Sequence, residues 1–327
     1  MTTSSNPSRT NPADRSSTRP ARRPSTTPAD RRVATSADPS GILPPLLDWY
    51  AAHARDLPWR QEDCSPWGVL VSEVMLQQTP VARVEPIWHE WLARWPEPGD
   101  LAAEPTGEAL RAWGRLGYPR RALRLHACAV QLTEEHGGLV PADLGALRSL
   151  PGIGSYTAAA VAAFAFGIRA TVVDTNVRRV QARAVTGEAL PAPSLTVAET
   201  ALAQRLLPVD PGTAARWSVA VMELGALVCT ARSPACGRCP IQQSCAWRAG
   251  GYPAYDGPPR RGQAWHGTDR QCRGLIMAAL REAPDAVDLS ALTALWPDAE
   301  QCARALDGLV ADGLAERVGQ GRVQLPG

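Results

Sequence analysis

No lysine occurs anywhere in the 327 residues, so all 34 basic side chains are arginine. That absence excludes Schiff-base chemistry on a lysine amine and a lysine-bearing phosphate loop. Long apolar runs are missing too. The longest, Ala158 to Phe166, is far shorter than the ~20 residues of a membrane helix, so a soluble protein with no membrane partner is expected. Runs of β-branched residues are scarce; the main one, Ala170–Val173, is too short to imply a sheet. The net charge of +2 does not by itself announce nucleic acid, and any basic patch must come from local clustering. A hydrophobic fraction of 45% excludes a wholly disordered chain, and the length leaves room for about two or three domains.

Residues 1–40 contain no Leu, Ile, Phe or Trp and are rich in Ser, Thr, Pro and Arg. Such a segment buries too little surface to offset its ordering entropy, so a disordered tail is expected. Asp14, Asp30, Asp38 and scattered prolines argue against an organelle transit peptide. From Ile42 onward apolar stripes recur at helical spacing, through Val69–Leu76, Leu110–Trp113, Leu123–Leu132 and Ala158–Phe166. Residues 41–248 therefore predict an all-helical domain of many short helices, and residues 249–267 a Gly- and Pro-rich linker. Beyond it, Cys272–Glu282, Leu289–Trp296 and Asp298–Asp312 predict helices, with Asp298 as a cap. Two short strand-like runs then flank Gly319-Gln320-Gly321, a hairpin signal. Helices followed by a hairpin suggest a winged-helix-like α+β module over 268–327.

Three features carry chemistry. Cys229, Cys236, Cys239 and Cys245 form a C-x6-C-x2-C-x5-C array, and thiolates so close in sequence can converge on one metal centre. Spacing alone serves zinc and an iron–sulfur cluster equally. The remaining cysteines, Cys64, Cys128, Cys272 and Cys302, are isolated in sequence and read as buried structural thiols. Leu150-Pro151-Gly152-Ile153-Gly154 lies between two helical stretches; it is either an ordinary helix–helix turn or a hairpin whose backbone N–H groups bind a phosphate at the next helix start. Glu73 sits among Val69, Leu70, Val74 and Leu76. By itself it reads as an ordinary helical glutamate, although apolar neighbours also permit burial with a raised pKa. Asp174, directly before a new helix, reads as an N-cap.

Together these pieces resemble one family. Ser72-Glu73-Val74-Met75-Leu76-Gln77-Gln78-Thr79, Leu116-Gly117-Tyr118, Leu150–Ala158, Asp174-Thr175-Asn176-Val177 and the cysteine array follow the order and spacing of MutY-type adenine DNA glycosylases, of the helix–hairpin–helix glycosylase superfamily. The match spans roughly residues 41–260. The resemblance implies a mainly α, two-lobed fold, with a helical barrel lobe over 70–170 and a terminal-helix and cluster lobe over 41–69 and 171–248. It implies a 4Fe–4S cluster on Cys229, Cys236, Cys239 and Cys245, with Arg232 and Arg238 approaching DNA. It also implies monofunctional excision of adenine mispaired with 8-oxoguanine or guanine in duplex DNA. In that scheme Glu73 is the general acid at adenine N7 and Asp174 stabilises or captures the oxocarbenium ion, while Tyr156 and Asn176 orient this network. Gln78 is the wedge, Tyr118 stacks beside the oxidised guanine with Thr79 and Leu116 lining that side, and Gly152, Gly154 and Ser155 clamp the backbone. A cytoplasmic, nucleoid-associated monomer is the expectation.

The chain departs from the family pattern in two places. The residues after Gly267 are too few for the NUDIX-like domain many relatives carry, and Tyr118 is followed by Pro119 instead of a second tyrosine. Both bear on discrimination of 8-oxoguanine from guanine. The competing readings are a T·G or U·G mismatch glycosylase of the same superfamily and a non-catalytic iron–sulfur DNA-binding protein. The Glu73–Gln78 segment favours adenine over a pyrimidine, because protonating N7 needs a purine and a well-placed acid, and the presence of both Glu73 and Asp174 speaks against a non-catalytic protein.

Overall fold

The computed structural model describes residues 41–258 and 265–327; the expected disordered tail and the middle of the linker lie outside the described residues. Among the described residues twelve α-helices precede the linker: α1 (Leu43–His53), α2 (Pro66–Met75), α3 (Val81–Arg94), α4 (Pro98–Ala102), α5 (Thr106–Trp113), α6 (Arg120–His136), α7 (Leu144–Ser149), α8 (Ser155–Phe166), α9 (Thr175–Gln181), α10 (Val197–Leu206), α11 (Pro211–Leu227) and α12 (Ala246–Ala249). Local chemistry sets many of their boundaries. Ser65 accepts from the Gly68 N–H at the start of α2, Asp143 caps α7 and Asp210 caps α11, each satisfying an orphan donor of the first turn. Thr196 and Glu199 form a reciprocal capping box on α10. No described helix is long and apolar enough to cross a membrane.

Two hydrophobic cores organise these helices. The first is built on α2–α8, around Leu70, Met75 and Leu125, with Trp91, Trp95 and Trp113 all buried. Trp91 meets Trp95 edge-on at 4.8 Å and Trp113 at 5.6 Å between ring centroids, the arrangement aromatic quadrupoles prefer. The second core gathers Ile42 and Leu46 of the N-terminal helix with Val177, Trp217, Leu224 and Ile241. Leu57, Trp59 and Trp67, placed by sequence with the second lobe, pack into the first core instead. Apolar contact with the tryptophan cluster outweighs their nearness in sequence to α1.

After the linker come α13 (Asp269–Glu282), β1 (Val287–Asp288), α14 (Leu289–Thr293), α15 (Ala299–Ala311), β2 (Glu316–Val318) and β3 (Arg322–Gln324). The strands form an antiparallel sheet in the order β1-β3-β2, with Val323 opposite both Val287 and Arg317. This is a winged-helix order of elements. Asp298 caps α15 as expected, accepting from the Gln301 N–H at 3.0 Å. The helix expected to reach Trp296 stops at Thr293.

The module has no separate core. Cys272, Ile276, Leu280, Leu306 and Val323 are buried in the same cluster as the tryptophans. The Gly107 N–H donates to the Pro326 carbonyl at 2.7 Å, and a Cβ on Gly107 would stand 2.6 Å from that oxygen. Arg111 Nη1 donates to the Ala283 carbonyl at 2.9 Å, and Arg120 pairs with Asp312 at 2.9 Å. Cys128, Cys272 and Cys302 are buried, whereas Cys64, in the loop before α2, is only half-buried.

Candidate active site and cluster loop

Helix α2 is buried from Trp67 through Met75, Glu73 included. One carboxyl is therefore carried into the middle of the molecule by a helix with no solvent face. It opens on a cavity of about 430 Å³ shared with Tyr156, Asp174, Asn176, Arg60 and Glu223. The Tyr156 hydroxyl donates to Glu73 Oε2 at 2.9 Å. Burial pushes the Glu73 carboxyl up to about 7; the Asp174 charge adds to the rise, and the Tyr156 hydrogen bond and Arg60 oppose it.

Asp174 caps α9, accepting from the Val177 N–H at 2.6 Å through Oδ1 and from Asn176 Nδ2 at 2.7 Å through Oδ2. Burial raises its pKa, while these N–H donors and the nearby Arg179 charge work against that rise. Asn176 is fixed in turn by Arg179 Nη2, 2.7 Å from its Oδ1. Two carboxyls thus face one cavity in unlike settings. Glu73 has a single phenol as partner and can hold a proton at neutral pH; Asp174 is surrounded by donors that favour the anion. Such a split marks acid and anionic roles in sites that cleave glycosidic bonds.

A third carboxylate in this cavity is not apparent from sequence. Glu223 on α11 receives Arg55 Nε at 2.7 Å and Nη2 at 2.8 Å, and Arg60 Nη2 at 2.9 Å. Burial works to raise its pKa, but the hydrogen bonds from Arg55 and Arg60 prevail and hold it at about 2. The one sequence signal is an acidic residue inside the apolar stretch Val219–Leu224.

Two turns are tied together next to Thr79, which lines the cavity. Gln78 and Tyr118 are both exposed and both in the left-handed region, at φ 56° and 48°, an arrangement that costs about 1–3 kcal/mol per non-glycine residue and persists only when neighbours enforce it. Arg121 is the enforcing group, and sequence reasoning missed it among the neighbouring arginines. Its Nη1 donates to the carbonyls of Val74, Met75 and Gln77 at 2.9, 3.0 and 2.6 Å, and its Nη2 to Thr79 Oγ1 at 3.0 Å and the Gly117 carbonyl at 3.1 Å. Burial lowers its pKa to about 10, still charged at neutral pH. Thr79 lines the cavity, and its hydroxyl donates to the Leu116 carbonyl at 3.3 Å. The Leu116 side chain is buried in the first core, while Gly117 and Tyr118 of the same turn are exposed.

The glycine hairpin joins α7 to α8 with Gly152, Gly154 and Ser155 exposed. Gly152 has φ 79°, and a Cβ there would stand 2.7 Å from Arg124 Cβ, so only glycine fits. Gly154 is the extended residue before α8, and the first-turn amides of a helix are groups from which a phosphate can accept.

Cys229, Cys236, Cys239 and Cys245 line a second cavity with Arg183 and Trp247. Arg183 Nη1 lies 3.4 Å from Cys229 Sγ and donates to the Thr230 carbonyl at 2.7 Å. Among the described residues no group of His, Cys, Asp or Glu is arranged to ligate a single ion. Four thiols around one cavity suit a polynuclear cluster, whose sulfur ligands stand farther apart than those of one zinc ion. Arg232 and Arg238 are exposed on this loop.

Comparison with known proteins agrees with this geometry. Residues 71–202 match the HhH-GPD superfamily of base excision DNA repair proteins, and residues 229–245 match the iron–sulfur binding domain of endonuclease III. The chain is 54% identical to the adenine DNA glycosylase of Mycobacterium tuberculosis (strain CDC 1551 / Oshkosh) over 86% of its own length and 92% of that protein. It is 42% identical to the Homo sapiens adenine DNA glycosylase over 62% of this chain and 38% of the human one. A solved thermostable thymine-DNA glycosylase superposes with a TM-score of 0.58 at 28% identity, covering 65% of this chain and 97% of that one. The four cysteines of this chain therefore carry a 4Fe–4S cluster, and the chain belongs to the adenine DNA glycosylase family of the HhH-GPD superfamily of base excision DNA repair proteins.

Proposed function

We propose that this protein is a monofunctional glycosylase that removes adenine paired with 8-oxoguanine or guanine in duplex DNA. The observation that carries the reading is the buried Glu73–Tyr156 pair facing Asp174 across one cavity. An adenine cannot react inside the stack, so it is flipped into the cavity at a cost of a few kcal/mol. Glu73 delivers its proton to N7, and the N-glycosidic bond breaks with its electron pair leaving on adenine. Asp174 stabilises the oxocarbenium ion at C1′, or captures it, until water adds at C1′ and gives its proton to the Glu73 carboxylate, which restores the acid. With no lysine in the chain, strand cleavage through a Schiff base has no lysine amine to start from.

Gln78 enters the gap left by the adenine, the hairpin amides at Gly152, Gly154 and Ser155 hold the phosphate backbone, and Arg232 and Arg238 add charge from the cluster loop. The cluster, held by its four cysteines, supplies structural support to that loop; the excision chemistry belongs to the carboxylates. The protein acts as a monomer on nucleoid DNA in the cytoplasm, since one cavity serves one lesion.

Single-turnover excision on labelled duplexes carrying A opposite 8-oxoguanine, G or T, plus T·G and U·G, tests the reading. Adenine release fastest opposite 8-oxoguanine is expected. Release of pyrimidines alone overturns it in favour of a T·G or U·G enzyme, and no release from any duplex in favour of a binding protein.

A further inference from the structure

We infer that Arg183 is the buried counter-ion of the iron–sulfur cluster, a positioning residue that sets how readily the cluster gives up an electron. Beyond α9 the chain runs through a short π-helical stretch, Ala182–Thr186, a kind of turn that is frequent at functional sites. Arg183, on this stretch, lines the cavity of the four cysteines. It meets both ends of the cysteine array. Its Nη1 lies 3.4 Å from Cys229 Sγ, and its carbonyl oxygen lies 3.6 Å from Cys245 Sγ.

Arg183 is buried, and its remaining partners are main-chain carbonyls. Nε donates to Ala189 at 2.8 Å, Nη1 to Thr230 at 2.7 Å and Nη2 to Ala231 at 3.1 Å. The Trp247 ring covers the guanidinium, its centroid 4.7 Å away. None of these partners is a carboxylate. A charge taken out of water is costly unless an opposite charge stands beside it, and four thiolates around an iron–sulfur core supply one. Arg248 lines the same cavity but is only half-buried, and its Nη1 donates to the Gln242 carbonyl at 3.1 Å. One-electron oxidation removes part of the cluster's negative charge, so a fixed cation beside a ligand sulfur favours the reduced form. Net charge and hydrogen bonds to the sulfurs are what set the potential of such clusters. The same fork that faces Cys229 ties Thr230 and Ala231 of the loop to the chain at Ala189, so Arg183 holds the loop and the cluster's charge together.

The test is protein-film voltammetry of the cluster's one-electron couple in full-length, cluster-loaded wild type, R183M, R183K and R248M, with iron per chain measured alongside. R183M is expected to shift the redox equilibrium at least about tenfold toward the oxidised form, a midpoint about 59 mV lower. R183K keeps the charge without the planar fork and is expected within about threefold of wild type. R248M is expected within about threefold as well, because solvent screens a partly exposed charge. An unchanged midpoint in R183M overturns the inference. So does R183K shifting as far as R183M, which would assign the effect to the fork's hydrogen bonds, or R248M shifting as far, which would assign it to charge in general. Should R183M purify without iron, R183Q, which keeps one donor for the Thr230 carbonyl, is held to the same outcomes. The measurement involves no DNA, so its failure and the failure of adenine excision are distinguishable.

Discussion

Burial raises the Glu73 carboxyl to about 7, and this has separable consequences for catalysis and for stability. A general acid must carry its proton, so adenine release is expected to fall as pH rises through 7. For folding the sign is also unfavourable at high pH. Below the ordinary glutamate pKa both folded and unfolded chains are protonated; between that value and 7 the folded chain binds the extra proton, and stability declines until the full penalty, about 3 kcal/mol, is reached above 7. E73Q removes excision and that penalty together, while its amide oxygen can still accept from Tyr156. Urea unfolding at pH 5 and pH 8 is expected to show E73Q gaining on the wild type as pH rises; parallel stabilities would mean that Glu73 does not hold its proton. D174N separates the roles differently. Asparagine caps a helix nearly as well as aspartate, so stability should change by less than about 1 kcal/mol. A full charge beside an oxocarbenium ion, by contrast, contributes about 4 kcal/mol at ~4 Å and an effective dielectric of ~20, roughly a thousandfold in rate. Wild-type-like excision by D174N rules out the anionic role.

At the scale of elements, helix α9 brings Asp174 and Asn176 to the cavity only because α11 lets it approach closely. A Cβ on Gly225 would stand 2.6 Å from Asn176 Cβ, so G225A forces the start of α9 away at a cost of about 1–3 kcal/mol. Excision by G225A is expected to drop at least tenfold with duplex affinity nearly unchanged, because the hairpin lies elsewhere; equal losses in both, read by single-turnover rates and binding titrations, contradict this. Local signals made much of the architecture legible in sequence: caps such as Asp298, glycines at the hairpin, apolar stripes and the cysteine spacing. The unreadable parts depend on distant packing. By itself Glu73 reads as an ordinary helical glutamate, because a helix buried all round shows no polar face to contrast with an apolar one. Arg55 and Glu223 are separated by 168 positions, and Arg121 resembles Arg120 and Arg124 until the fold turns it inward. Strand β1, two residues long, is too short to carry a period.

For the whole molecule, the shared core decides how the C-terminal module behaves. Ile276 on α13 is fully buried in the same cluster as Trp91 and Trp113, although about 160–185 positions of sequence separate them. An independent module would melt by itself when its core is weakened. A module joined to the first lobe by common packing, by the Gly107–Pro326 hydrogen bond and by the Arg120–Asp312 pair has no separate transition to undergo. I276A leaves a cavity costing about 2–5 kcal/mol, and that loss is expected to move the unfolding of the first lobe as well. Tryptophan fluorescence, dominated by the buried rings of the first lobe, and far-UV circular dichroism should shift together to lower urea in one step. Two separated steps, with the first leaving adenine excision intact, would show that the module is an appendage. A single shift would mean that α13 is as permanent a part of the fold as the helix carrying Glu73.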